Sequence, residues 1–498
     1  MTDIGIETRP AGGSPVSHIL AWRRAWLHMD SNDAVVRFAT SLPGKALLYV
    51  TFVAFLFAYQ LQMGGLLVIA GSLALLTVFP TRRLEVLLLG ALAYLYLSPF
   101  GTTALRALPQ ALTERYGPIG IDLKLFGLFT GLVFFVFAAL VLAAQARFAD
   151  KAVVKRPLMC LMALFWFLVA VAMTDLLPAR GQIILWSFIG VFATYFWYLA
   201  YAMADQKVKN PTPNWKRLGL FRPMWGAPWT PFGKGAAYLA KFEAADETDL
   251  AKVRLRAIKL ICWGAILYWL EHALTYIGYS VVHISTLDEA VIAQAQSGLA
   301  AFAGDWAAVI YSYFLHILTM CAFGHFVVSV IRMTGYGIPR NSVRPLAARS
   351  LADFWNRYYF YFKELLVDFF FYPAFLRYFK RNTKMRLAFA TFCAAGAGNF
   401  LFHAMQNIDL AFTGGAVAFL QQFEGYLIYC LALSAGLIAS QLYGRKPQPT
   451  DGFLRYEVLP RLNVGLFFCL IAVFGDPTST LPVSERIGFV LNLFGVTL

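Results

Sequence analysis

The sequence predicts an all-α, polytopic integral membrane protein, and three observations predict it. Hydrophobic residues make up 59% of the 498-residue chain and charged residues only 14%, against about 25% charged in soluble domains. Apolar runs long enough to cross about 30 Å of hydrocarbon recur along its whole length. Lys and Arg outnumber Asp and Glu, for a net charge of +15, and they gather in the polar segments between those runs. That placement reflects orientation in a bilayer, so no nucleic-acid partner is expected.

Taken in order, residues 1–45 form a polar or amphipathic N-terminal segment without a cleavable signal pattern. Its piece HILAWRRAWLHM reads either as an interfacial helix or as a short soluble one. A single membrane domain follows over 46–498. Residues 46–79, with Gly64-Gly65 at the middle, read as two short spans joined by a tight turn, with one long kinked helix as the alternative. Spans are expected near 84–99, 124–146, 157–174 and 183–204, with a polar loop at 100–123. Residues 205–256 are expected to form the longest soluble insertion, rich in Pro, Trp and Gly in its first half (NPTPNWKRLGLFRPMWGAPWTPFG) and helical in its second. Further spans are expected near 257–282 and 306–331, in a helix beginning near Met385, and near 416–442, 462–474 and 487–498. This makes about 11 or 12 crossings, with interfacial or re-entrant helices besides. With the N-terminus in the cytoplasm, the cytoplasmic segments are 1–45, 81–83, 147–156, 205–256, 332–384 and 443–461, and they hold nearly every basic cluster. The expected location is the cell membrane.

Six cysteines, at 160, 262, 321, 393, 430 and 469, all lie in apolar segments and form no C-x-x-C pair. They read as small hydrophobes, so neither a metal site nor a disulfide framework is expected. The chain has no G-x-x-x-x-G-K-[ST], H-E-x-x-H or G-x-S-x-G, which argues against a nucleotide-driven pump, a zinc protease and a soluble-type serine hydrolase.

The stretch 341–407 carries the strongest chemical signal. Its first part sets Trp355, Asn356, Arg357, Tyr359 and Asp368 among aromatics, too polar for an ordinary span. Its second part, LAFATFCAAGAGNFLFHAMQN, holds one titratable residue, His403, in an apolar small-residue run. Such a group is costly in hydrocarbon and marks a functional site. Two readings of His403 are open: a general base, for which imidazole suits neutral pH, or a core histidine hydrogen-bonded to a neighbouring helix. Asn399, four residues earlier on the same helical face, could orient the imidazole, stabilise an oxyanion, or simply bond between helices. Ala394 to Gly398 suit close helix packing. Arg357 could pair with Asp368 or meet a phosphate. Asp368 lies near the C-terminal end of its helix, where a partner is needed to offset the dipole.

The order Asp353-Phe354-Trp355-Asn356-Arg357-Tyr358, then Asp368 with Tyr372-Pro373, then His403 on a small-residue helix, resembles the membrane-bound O-acyltransferase (MBOAT) family, in its bacterial polysaccharide O-acetylase-like branch. The likeness covers roughly 70 residues. Two positions depart from that branch: Tyr359 stands at its first histidine, and Phe402-His403-Ala404 replaces its Trp-His-Gly. The resemblance implies an O-acyltransferase with His403 and Asn356 catalytic, and Trp355, Arg357, Tyr359, Asp368 and Asn399 in support. It implies no tightly bound cofactor. The donor would be acyl-CoA or an acylated carrier protein, and the acceptor a hydroxyl of a polysaccharide, lipid or other envelope molecule. The partners it implies are membrane lipid, an acyl carrier protein and an envelope acyltransferase partner.

Glu271 and His272 fall mid-span, with Tyr268, Tyr276 and Tyr279 sharing the His272 face. They suit a cavity lining or polar helix packing. His316 and His325, nine residues apart, face opposite ways and read as structural. Glu424, with Gln421 and Gln422, marks another polar patch. A transporter or flippase using Glu271 and Glu424, and a catalytically silent scaffold, are the alternatives to acyl transfer.

Overall fold

The computed structural model describes residues 22–101, 103–148, 156–174, 176–206, 212–225, 229–293, 299–444 and 448–496. The first 21 residues of the N-terminal segment and most of the expected connection at 147–156 lie outside them. The architecture is all-helical, and no β-strand occurs among the described residues.

The chain enters through α1 (Asp33–Thr40), capped by the Asn32 side chain, which accepts hydrogen bonds from the Ala34 and Val35 amides. It turns by 92° into α2 (Leu42–Phe57). Ser41 caps α2 by accepting from the Gly44 amide. Gly44 is required there, because a Cβ would lie 1.9 Å from the Phe38 carbonyl oxygen. After a turn at 58–62, α3 (Met63–Val78) and α4 (Arg83–Leu97) follow. The expected pair of short helices over 46–79 is therefore present. The expected loop at 100–123 is partly helical, with turns at Thr103–Arg106 and Leu108–Tyr116.

Helices α5 (Leu123–Arg147), α6 (Pro157–Met173) and α7 (Ala179–Asp205) come next. Helix α7 is central: its apolar window is 83% buried, because it is apolar and aromatic on every side and has neighbours all round. Helix α8 (Glu247–Thr275) packs along α9 (Leu299–Met333). Beyond them lie α10 (Leu351–Tyr358), α11 (Phe360–Leu366), α12 (Thr383–Gln406), α13 (Asp409–Gln422, kinked at Gly415), α14 (Glu424–Leu442), α15 (Leu459–Ala472) and α16 (Val483–Asn492). The single expected span over 416–442 is thus two helices, α13 and α14.

Five helices among the described residues are long and apolar enough to cross a membrane: α5, α7, α9 from Phe302, α12 and α14. The bent pair α1–α2 adds a broken sixth. Several other expected crossings are apolar but short. Helices α3 and α6 have 16 and 17 residues, or about 24–26 Å at 1.5 Å per residue, less than a ~30 Å core.

The insertion at 205–256 is not a solvated appendage. Phe221, Met224, Trp225 and Phe232 are at most 1% exposed. Arg222, in a left-handed backbone conformation, donates to the carbonyls of Ser98 and Gly101. The insertion's first half packs largely irregular backbone into the bundle, and its second half forms a short helix at Ala236–Ala240 and, after a break, the first turns of α8 from Glu247. Ion pairs bind it further: Lys216 to Glu85 at 2.8 Å, Lys45 to Glu247 at 2.6 Å, and Arg83 to Glu243.

Candidate functional site

Two π-helical turns shape the site. One, Val367–Phe371, follows α11, and the other, Phe392–Gly398, sits inside α12 just before Asn399 and His403. Such turns re-aim the helix beyond them and recur at functional sites. They pack against each other: a Cβ on Gly398 would lie 2.7 Å from the Phe370 ring, and one on Gly396 would crowd Phe392 and approach Ser434. The small-residue run therefore serves close packing. The structure places His403 three residues from the end of α12 rather than mid-span. Apolar neighbours from other helices still surround it.

His403 faces a cavity of about 860 Å³. Helix α9 gives it one face, Val309, Ser312 and Tyr313, His316, Thr319 and Met320, then Phe323. The fourteen-residue separation of its ends corresponds to about 21 Å along that helix. At one end lie Leu287, Asp476 and Pro477; at the other lie Trp229, Thr230, Phe232 and Tyr359. The cavity thus runs between two sets of loop residues about 21 Å apart along the middle of α9. Opposite α9 stand Asn399, Phe402, His403, Gln406 and Asn407, with Tyr426 and Tyr429 of α14.

The imidazole is held by rings. The Tyr426 ring centroid is 4.7 Å away, Phe402 5.2 Å and Phe362 5.8 Å. It makes no side-chain hydrogen bond among the described residues. The Tyr426 hydroxyl donates to Asn399 Oδ1 at 3.1 Å. The carbonyl end of that amide is therefore occupied, and the NH₂ end remains the available donor. Asn407 ties the helix end by donating to the His403 carbonyl at 2.9 Å.

Tyr359 sits at the break between α10 and α11. Asn341 pins the break: its carbonyl accepts from the Phe360 amide at 3.0 Å and its side-chain oxygen from Tyr361 N at 3.2 Å. The Ser342 hydroxyl donates to the Tyr358 carbonyl at 2.6 Å. Tyr359 lies among Phe232 and Phe362, and its hydroxyl donates to Thr230 Oγ1 at 3.3 Å. Burial pushes its phenol up to about 12, which suits it to donating hydrogen bonds and not to acting as a base.

The structure brings Trp355, Tyr359, Asn399 and His403 to this cavity. Asn356, one residue beyond Trp355, is exposed and does not line it, because successive helical residues point about 100° apart. Arg357 pairs with Asp353 at 2.7 Å, not with Asp368, since one helical turn separates the two within α10. The expected partner of Asp368 is Lys234, at 2.8 Å, with the Tyr201 hydroxyl donating at 3.1 Å. Lys234 also meets Glu364 at 2.7 Å. Glu271 and His272 line a second cavity on the other side of α9, and Glu424 lines neither.

His316 was not expected here. It lines the His403 cavity with its ring open to it, while His325 is on the opposite face. Their nine-residue spacing already implied that one of the pair points away from whatever the other packs against. No group of three or more His, Cys, Asp or Glu suited to a metal occurs among the described residues. No family model and no curated protein matches the chain.

Proposed function

We propose that the chain is an integral-membrane O-acyltransferase, resembling the MBOAT family, in which His403 is the general base. The supporting observation is an imidazole without a side-chain hydrogen bond among the described residues, facing a cavity whose two ends lie about 21 Å apart along α9. In this reading those ends open towards opposite sides of the membrane, the chain crosses about 11 or 12 times, and its N-terminus is cytoplasmic. The thioester donor, acyl-CoA or an acylated carrier protein, enters from the end of Trp229, Thr230 and Tyr359. The hydroxyl acceptor enters from the end of Asp476. His403 takes the hydroxyl proton as the oxygen attacks the thioester carbonyl. The Asn399 NH₂, one helical turn before His403, is the donor assigned to the oxyanion that forms. Collapse of the tetrahedral intermediate expels the thiolate, which recovers the proton from the imidazolium.

The direct test incubates the purified protein with radiolabelled acyl-CoA and a cell-envelope extract. Label is expected to appear in an envelope molecule as an alkali-labile ester. Absence of transfer from both acyl-CoA and acylated carrier protein would sink the assignment.

Two further results are expected. Tyr359→Phe removes one donor beside the donor entrance and lowers turnover by roughly tenfold or less; an unchanged rate would leave Tyr359 a packing residue. For orientation, Ala245 is exposed whereas Gly235 is packed against the Asp205 carboxylate. Ala245→Cys is expected to resist an impermeant thiol reagent in intact cells and to react after lysis. Ready labelling in intact cells would invert the topology.

A further inference from the structure

The second cavity, about 930 Å³, lies across α9 from the first and shares Thr319 and Phe323 with it. Its lining mixes apolar and basic side chains. Leu61, Ile69, Leu97, Phe100, Leu123 and Phe326 are its apolar lining, and Arg106, Lys124 and Arg222 its basic lining. None of the three cations has a carboxylate partner among the described residues. Arg106 Nε donates to Ser98 Oγ at 2.9 Å, and Lys124 lies 4.3 Å from the centroid of the Tyr96 ring. The carboxylate in the wall is already engaged: Glu271 meets His272 Nδ1 at 2.8 Å and accepts from Thr275 at 3.1 Å. Arg222 is 4% exposed and its two terminal nitrogens donate to the Ser98 and Gly101 carbonyls, so it contributes positive charge and no free donor, whereas Arg106 and Lys124 are exposed. Beside Gly64 and Gly65, which line the rim, Met63 and Leu67 are each 63% exposed, so the cavity borders an apolar outer surface.

We propose that this cavity binds one anionic lipid, its phosphate headgroup toward Arg106, Lys124 and Arg222 and its chain along the apolar side chains. Basic side chains near a membrane surface favour such headgroups, and the apolar lining favours an amphiphile over a free anion. The proposal does not depend on acyl transfer.

The test reconstitutes the full chain in nanodiscs of equal phosphatidylglycerol and phosphatidylcholine, then counts retained lipids by native mass spectrometry. One phosphatidylglycerol per chain is expected to be retained, and phosphatidylcholine not. The Arg106→Gln, Lys124→Gln double variant changes two exposed side chains and is expected to retain about tenfold less. Gly65→Leu, which keeps every charge and fills the rim, is expected to lose the lipid as well. No retention by the wild type, equal retention of both lipids, or unchanged retention in both variants would overturn the proposal. So would binding of inorganic phosphate that fully displaces phosphatidylglycerol, since the site would then serve a free anion.

Discussion

His403→Ala is expected to abolish acyl transfer while leaving expression, elution volume and thermal unfolding close to wild type. A general base contributes about 10²–10⁴ to a rate, and no other imidazole on α12 can replace it. Folding should survive, because His403 supplies no side-chain hydrogen bond among the described residues and its truncation enlarges a space that is already open. The flanking helix is fixed by other contacts: Gly398 on Phe370, Tyr426 on Asn399, and Asn407 on the His403 carbonyl. His316→Ala, on the opposite wall, separates general loss of cavity polarity from loss of the base. It should reduce transfer far less, since the imidazole it removes is not the one beside Asn399. Full activity of purified His403→Ala would end the assignment of the base. Equal loss in both variants would move the chemistry to the pair.

How much of this was legible in the sequence depends on periodicity. The long helices were, because continuous apolar runs admit no other structure in a chain this apolar. Asp368 does have a compensating partner, but the helix end from which that need was read is absent, because the helical path continues through Val367–Phe371 to Arg377. The identity of that partner was not legible. Lys234 is 134 positions earlier, in a Pro-Trp-Gly segment whose backbone follows no regular period. The same irregularity made the first half of the 205–256 insertion read as soluble, although Trp225 and Phe232 are buried. The π-helical turns also left no pattern to read, since one extra residue per turn resembles ordinary helix in sequence. They alter which side chains share a face after residue 398. That Trp355 and not Asn356 meets His403 across the cavity was settled by tertiary packing of α10, to which its short sequence gives only a direction.

Lys234→Met is expected to destabilise the fold by about 2 kcal/mol and lower the unfolding temperature by a few degrees. Removing one member of a fully buried ion pair costs about 3–5 kcal/mol. Here the estimate is reduced because the Lys234, Glu364 and Asp368 side chains are 12%, 21% and 30% exposed. The loss is concentrated at one junction, where Lys234 ties the insertion to both α11 and the π-turn after it. Its pH dependence distinguishes a charge effect from lost packing. Burial disfavours the charged form of Lys234, but hydrogen bonds to Asp368 and Glu364 outweigh it, and its pKa is raised. Burial likewise raises the Glu364 carboxyl, but hydrogen bonds from Lys234 and Lys363 outweigh it, and the net shift is downward. A raised lysine contributes stability that is complete below its unfolded pKa, about 10.4, and is lost as pH climbs through the folded value. A depressed glutamate contributes stability that is complete above its unfolded pKa, about 4.3, and is lost as pH falls through the folded value. The gap between wild type and Lys234→Met should therefore be widest from about pH 5 to 10 and close towards both extremes. Thermal unfolding across that range measures it. A gap independent of pH would assign the effect to the lysine's aliphatic packing instead of its charge.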